Sequence, residues 1–357
     1  MIDARVVCNL PATRCHAAFT LEAHLQAAPG ITAVFGPASA GKTLLFEHIT
    51  GLRQPTSGRI LLNDEILYDA GANVNLPTAR RMLGVVFETN CLFPHLSLKE
   101  NLRLAATVLP PREGARRVTE LLERFDLIDL AAAMPPALSP VEHRVGMLAQ
   151  ALVRNPRALL VDAIPFGWEA PLRIQFLRVL RDYAQSAGIP VVLATRDLND
   201  CFLAASNMVV LHAGRFVQGG PPLEVCRKPA SLAIAELLGQ DILIPAEILF
   251  LDPQNKRSRL RIFGVEVPGP YFAGHFKGSR ITLCVAPAAV QATPRPDEAV
   301  LPGRIPVTVD YAILRPHSTR VYFAEGLALD LPTPETSSLQ PGKRWRLEIP
   351  ESAMRVL

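Results

Sequence analysis

The chain has 357 residues, 49% apolar and 20% charged, and its 37 Lys and Arg against 33 Asp and Glu leave a net charge of +4. Length and composition describe one large domain plus a smaller one with a sizeable core, and they exclude a disordered chain. A charge this small and dispersed excludes a dedicated nucleic-acid binder, while a site for anions stays compatible with it.

The N-terminus, with Asp3 and Arg5 ahead of a Pro-interrupted segment, lacks the apolar core of a secretory signal. Apolar runs such as Ala158 to Val161 and Val191 to Ala194 are strand-sized and far from the ~18 residues of a membrane span. The protein is therefore expected in the cytoplasm. Six cysteines, Cys8, Cys15, Cys91, Cys201, Cys226 and Cys284, include no C-x-x-C pair and no matching His pair. They read as reduced, mostly buried thiols.

In chain order, Ile31 to Phe35 reads as a buried strand, followed by a loop and a helix beginning near Lys42. From about Leu92 to Leu152 the composition favours helices, Arg116 to Phe125 for example, and predicts a helical insertion. Leu159 to Asp162 and Pro190 to Thr195 are two further buried strands. This alternation predicts an α/β domain with a largely parallel sheet covered by helices. After Gly239, Pro and Gly become frequent and short alternating runs appear, such as Thr319 to Phe323 and Arg344 to Ile349. These features divide the chain into 1–239, with a helical subdomain at about 90–152, and a β-rich domain over 240–357.

Between the first strand and its helix lies Gly36-Pro37-Ala38-Ser39-Ala40-Gly41-Lys42-Thr43, which satisfies the P-loop pattern G-x-x-x-x-G-K-[ST]. Strand, loop and helix in this order let backbone N–H groups and the helix N-terminus converge on phosphate oxygens. Lys42 would neutralise the β- and γ-phosphates, and Thr43 would offer its hydroxyl to Mg²⁺. Asp162, at the end of a later apolar run, is the natural second anchor for the metal.

The segment Gly30 to Thr43 leads into Gly51-Leu-Arg-Gln-Pro-Thr-Ser-Gly-Arg-Ile60 and then Leu83-Gly-Val-Val-Phe-Glu-Thr-Asn-Cys-Leu-Phe-Pro-His-Leu96. Together they resemble ABC importer ATPases, most closely the ATP-binding subunit of molybdate importers, over about residues 30 to 238. The resemblance implies a P-loop ABC-type nucleotide-binding domain with a helical insertion, followed by a small OB/TOBE-like β domain. It implies ATP and Mg²⁺ as cofactors. It also implies a homodimer, or a heterodimer with another ABC ATPase subunit, peripheral on the inner face of the cell membrane and docked on permease subunits. In the family each ATP lies between the P-loop of one subunit and a Leu-Ser-Gly-Gly-Gln signature of the other.

Several catalytic positions of the family carry other residues here. The Gln that senses metal and nucleophile is Glu88, which reads either as a further Mg²⁺ ligand or as a surface carboxylate. The signature is Leu138-Ser139-Pro140-Val141-Glu142, in which Pro140 has no N–H for a phosphate and the branched Val141 is expected to obstruct close approach. The acidic residue that polarises water in the family is Ala163, the His after Thr195 is Arg196, and the subunit-contact Asp is Glu169. Arg196 cannot relay protons but can hold a γ-phosphate electrostatically. ATP binding with weak or absent hydrolysis is the expectation, and a P-loop enzyme using Glu88 as acid/base is a weaker alternative.

Leu92-Phe-Pro-His95 reads either as the permease-facing turn of the family or as a turn buried in its own core. In the C-terminal domain the family's oxyanion-binding stretch corresponds to Pro296 to Leu301, where Asp297 and Glu298 repel an anion. Arg295, Arg304, Arg315 and Arg320 are left as anion contacts or as a solvated surface. No aromatic residue stands out as an adenine contact between Arg14 and Phe19 beyond His16 and Phe19.

Overall fold

A computed structural model of the protein describes residues 1–12, 17–89, 91–165, 167–294, 303–332 and 336–356. The described chain divides into two units, Met1–Arg227 and Lys228–Leu357.

In the first unit the strands are β1 Ile2–Leu10, β2 Phe19–Ala27, β3 Gly30–Phe35, β4 Ser57–Leu62, β5 Glu65–Asp69, β6 Val74–Asn75, β7 Leu83–Val86, β8 Ala158–Asp162, β9 Pro190–Thr195, β10 Asn207–His212 and β11 Arg215–Gly220. The helices are α1 Lys42–Thr50, α2 Leu98–Ala105, α3 Pro111–Arg124, α4 Pro140–Leu152, α5 Ala170–Ala187, α6 Leu198–Ala204 and α7 Pro222–Arg227. The strands form one sheet in the order β6-β5-β4-β1-β2-β11-β10-β3-β9-β8-β7.

The central strands are mainly apolar because helices cover both faces. All five residues of β8 and all six of β9 are buried. The sheet is mixed, which corrects the expectation of a largely parallel one. Strands β10, β3, β9, β8 and β7 pair in parallel, but β1, β2, β4, β5 and β6 pair antiparallel. Period-2 alternation accompanies this arm. In β1, Ile2, Ala4, Val6 and Cys8 are buried with more open residues between them, and β2 does the same with Leu21, Ala23, Leu25 and Ala27. Half-buried strands of this kind need only short connections, whereas parallel pairs need crossovers.

Helices α2, α3 and α4 lie between β7 and β8 as the predicted insertion. Leu98, Leu102, Val118, Leu121, Val145, Leu148 and Leu152 join Val86, Leu159 and Val161 of the sheet in one core. The predicted helix Arg116 to Phe125 is the C-terminal part of α3.

Helix α1 is gripped at its C-terminal end by Arg81, which is 1% exposed. Its guanidinium donates to the carbonyls of His48 (2.8 Å), Ile49 (2.7 Å) and Leu76 (2.9 Å) and to Asn75 Oδ1 (2.9 Å). A cation there satisfies orphan carbonyls and complements the negative end of the helix.

The second unit begins with α8 Leu232–Leu238 and then contains β12 Ile242–Asp252, β13 Arg257–Ile262, β14 Val265–Pro270, β15 Arg280–Val285, β16 Gln291–Pro294, β17 Ile305–Leu314, β18 Thr319–Phe323, β19 Ala328–Leu331, β20 Arg344–Glu348 and β21 Arg355–Val356. They form two five-stranded antiparallel sheets, β14-β13-β12-β15-β21 and β16-β20-β17-β18-β19. Ile244, Ile248, Leu260, Leu283, Val307, Val321 and Trp345 build one core from both. The contacts thus divide the chain about twelve residues before the compositional change at residue 240, with α8 in the second unit.

Arg81→Met keeps the apolar stem and deletes the guanidinium bonds. It is expected to destabilise the first unit by about 3 kcal/mol, because several buried carbonyls lose their donors. Chemical denaturation of the two proteins measures the difference.

Candidate functional site

The site gathers at the C-terminal ends of β3, β7, β8 and β9. Gly36 leaves β3 so close to a neighbouring strand that a Cβ there would stand 2.2 Å from the Leu211 carbonyl oxygen. The loop then turns through Ser39 and Gly41, both at positive φ (62° and 105°), into α1. Gly41 caps α1 without any side-chain hydrogen bond, so the first N–H groups of the helix stay available to an anion.

Lys42 is 8% exposed, and its Nζ donates to the carbonyls of Gly36 (2.8 Å) and Pro37 (2.7 Å). Burial, with Arg196 nearby, pulls its pKa down to about 8 against the opposing pull of Asp162 and Glu88. Thr43 donates its hydroxyl to Asp162 Oδ1 at 3.3 Å. Burial pushes the Asp162 carboxyl above the usual range, Glu88 adds to the push, and Thr43, Lys42 and Arg144 oppose it. Carboxylates held under such pressure gain from a cation.

The residues fit Mg²⁺·nucleotide. The loop supplies N–H groups and an ammonium, and Thr43 and Asp162 supply hard oxygens. Among the described residues no group of three or more His, Cys, Asp or Glu stands ready for a metal. Glu88 is exposed, yet its charge is felt at Lys42, Asp162 and Arg144, so the structure brings it to the site.

Arg144 is a residue that sequence reasoning missed. It lies on the buried face of α4 and is 2% exposed. One end of its guanidinium donates to the carbonyls of Phe87 and Glu88, the other to those of Asp162 and Ala163. Phe176 packs its ring 5.9 Å from Cζ. Burial lowers its pKa to about 10, so it stays charged at neutral pH. The visible signal was an arginine at the same helical spacing as Val141, Val145 and Leu148, where only apolar residues are expected.

Ala163 follows Asp162 at φ 58°, and its N–H donates to the Ala194 carbonyl. Its methyl offers no group that could take a proton. Arg196 is exposed beside the site. The turn that carries it is anchored by Asp200, which is 0% exposed and accepts from the Thr195 hydroxyl and the Arg173 guanidinium. Glu169 caps α5 without a side-chain hydrogen bond.

The signature-like segment forms the N-terminus of α4. Ser139 is its N-cap, accepting from the Glu142 N–H at 3.4 Å, while the Glu142 carboxylate accepts from the Ser139 N–H at 2.8 Å. Pro140 occupies N1 with no N–H. The helix end is closed on itself, the Glu142 carboxylate taking the Ser139 N–H. Val141 does not obstruct the approach as expected; it is 4% exposed and packs in the core.

Elsewhere Leu92 is buried while Phe93 is 45% exposed, so the Leu92–His95 turn faces both ways. Asn101 fixes it, accepting from the Phe93 N–H at 2.7 Å and donating to the carbonyls of Phe93 and Leu96. A Cβ on Gly41 would come within 3.1 Å of the Phe19 ring, so Phe19 packs against the loop. Arg14 and His16 lie outside the described residues, as do Arg295 and the stretch 296–301. Arg304 pairs with Glu348, and Arg315 and Arg320 share Asp330, so these arginines already have carboxylate partners.

Residues 23–164 match the family described as ABC transporter. The chain is 36% identical to the Fe(3+) ions import ATP-binding protein FbpC of Pseudomonas fluorescens over 61% of this chain and 61% of that protein. It is 28% identical to the Molybdenum import ATP-binding protein ModC of Paramagnetospirillum magneticum over 60% of this chain and 59% of that protein. The chain thus spans about three fifths of the length of these curated relatives. Its fold is similar to that of cbiO1 from Clostridium perfringens, part of the ABC transporter complex cbiONQ, with a TM-score of 0.55 and 24% identity over 64% of this chain and 90% of that one. The first unit has the ABC ATPase fold, and the second is β-rich.

Phosphate binding by Lys42 requires its proton. Affinity for a non-hydrolysable ATP analogue is expected to be flat below pH 8 and to fall above about pH 8, by up to roughly tenfold per pH unit. Titration calorimetry between pH 6.5 and 9.5, on the order of one run per half unit, checks this, with Lys42→Met expected to bind weakly and without the inflection.

Proposed function

We propose that the protein, whose residues 23–164 match the ABC transporter family, is the ATP-binding subunit of an ABC importer that holds Mg²⁺·ATP and hydrolyses it very slowly. The N-terminus of α1, the loop Gly36–Gly41 and Lys42 bind the phosphates. Thr43 and Asp162 hold the metal, with Glu88 as a further carboxylate in reach of its charge. Bound Mg²⁺ supplies neutralisation of phosphate charge. Arg196 adds a cation on the γ-phosphate side, which strengthens the hold on the nucleotide.

The observation that carries slow turnover is Ala163 at the end of β8. Loss of a positioned general base costs ~10²–10⁴-fold in rate. The closed N-terminus of α4 acts in the same direction, because a second subunit's nucleotide would meet the Glu142 carboxylate and the N–H-free Pro140. The two losses do not multiply, since such residues act as a unit. In a homodimer, or a heterodimer with an intact ATPase subunit, both composite sites are impaired.

No described helix is long and apolar enough to cross a membrane. Our reading places the protein on the cytoplasmic face of the membrane against permease subunits, with the exposed Phe93 turn as contact. For the solute, molybdate or a related oxyanion is the reading drawn from the sequence resemblance, and the similarity to an Fe(3+) import protein supports ferric ion beside it. A catalytically inert regulator that senses nucleotide is the second reading, favoured by the same Ala163 and closed signature helix.

ATP affinity and phosphate release, measured with and without the permease, test the proposal. Binding with near-background release is expected. Joint restoration by Ala163→Glu, Pro140→Gly, Val141→Gly and Arg196→His is expected to raise release by ~10²-fold or more. Brisk release by the natural chain that collapses in Lys42→Ala overturns the reading. Val141→Gly alone is expected to cost about 3 kcal/mol of stability, since it empties a core position and places glycine in a helix; denaturant melts check this.

A further inference from the structure

Arg144 is built into the site in a way that nucleotide binding alone does not require. Its two terminal nitrogens face two different segments, Phe87–Glu88 after β7 and Asp162–Ala163 after β8. Its Nε is buried without a partner, so the side chain is placed for those two segments at a cost. An apolar residue of similar volume would fill the position against Phe176 with no charge to desolvate. Lysine, a point donor, cannot bridge both sets of carbonyls as a planar fork does.

We propose that Arg144 is a positioning residue that latches the Glu88 segment to the metal-side end of β8. Movement of α4 then shifts Glu88 and Asp162 together. The inference rests on the Mg²⁺·ATP reading of the loop Gly36–Thr43. By this latch the helical insertion, whose α4 carries the closed signature end, acts directly on both carboxylates that face the metal.

Cys91 provides a readout that does not depend on nucleotide. It is exposed close to the Phe87–Glu88 segment, while Cys8, Cys201, Cys226 and Cys284 are buried. In the full chain carrying Cys15→Ser, the rate of Cys91 modification by an aromatic disulfide is measured without nucleotide. ATP affinity is measured in Mg²⁺ and in EDTA. Arg144→Gln is expected to raise the Cys91 rate per thiolate by roughly tenfold, the pH dependence of the rate correcting for the thiol pKa that loss of the Arg144 cation raises, and to abolish most of the Mg²⁺-dependent gain in affinity, leaving affinity in EDTA unchanged.

An unchanged Cys91 rate with an unchanged Mg²⁺ gain overturns the proposal. A parent protein that binds no ATP overturns the nucleotide reading instead, and the Cys91 rate still decides the latch. Should Arg144→Gln expose the buried thiols, and so prove unfolded, Arg144→Lys decides. An intermediate Cys91 rate is expected there, and the parent rate overturns the latch.

Discussion

The unpartnered N–H groups at the start of α1 are the constraint on which the rest of the site depends. Helices α2 and α4 both close their first turn with a Ser and Glu capping box, whereas α1 begins at Gly41 with no side chain to accept from it. An open helix end is tolerated only where a ligand or water takes the bonds. The fold protects the opening by packing Gly36 against the Leu211 carbonyl, and it secures the far end of the same helix with Arg81. The contrast between α1 and α4 is therefore chemical and local: one helix end invites an anion, and the other already holds a carboxylate.

Two buried arginines and one half-buried one organise the surrounding chain, each through bonds that a lysine could not reproduce. Arg81 collects the carbonyls at the end of α1, Arg144 joins the ends of β7 and β8, and Arg173 grips Asp200 beneath the turn that carries Arg196. Their neighbours are mainly backbone carbonyls or fully buried carboxylates, so each guanidinium fixes a main-chain position. Lys42 is the exception, bonded to two carbonyls of its own loop, with its proton held weakly enough for pH to matter.

The replacements in the catalytic set fit the fold without visible strain on its core. Val141 fills a core position and Pro140 sits at the helix position where its missing N–H costs least. Ala163 holds a left-handed backbone conformation that costs a residue with a Cβ about 1 kcal/mol. Under the proposed reading, stability and turnover draw on different atoms, and these three residues serve the first.

The P-loop residues, the buried strands β3, β8 and β9 and the helical insertion were legible in the sequence, because each rests on local pattern. Glycine spacing, apolar runs and helix-forming composition act over a few residues. The antiparallel arm was not legible as such, since strand direction is set by connections and partners rather than by a strand's own alternation. Arg144 was hidden for the same reason: only packing of α4 against β7 and β8 brings one guanidinium to carbonyls 56 and 18 positions away in the chain. Pro140 lacks a donor N–H from its covalent structure alone. The Ser139–Glu142 capping box that closes the helix end is likewise a local pattern, whereas that Val141 turns inward depends on which face of α4 the core buries, and this the tertiary structure alone decides.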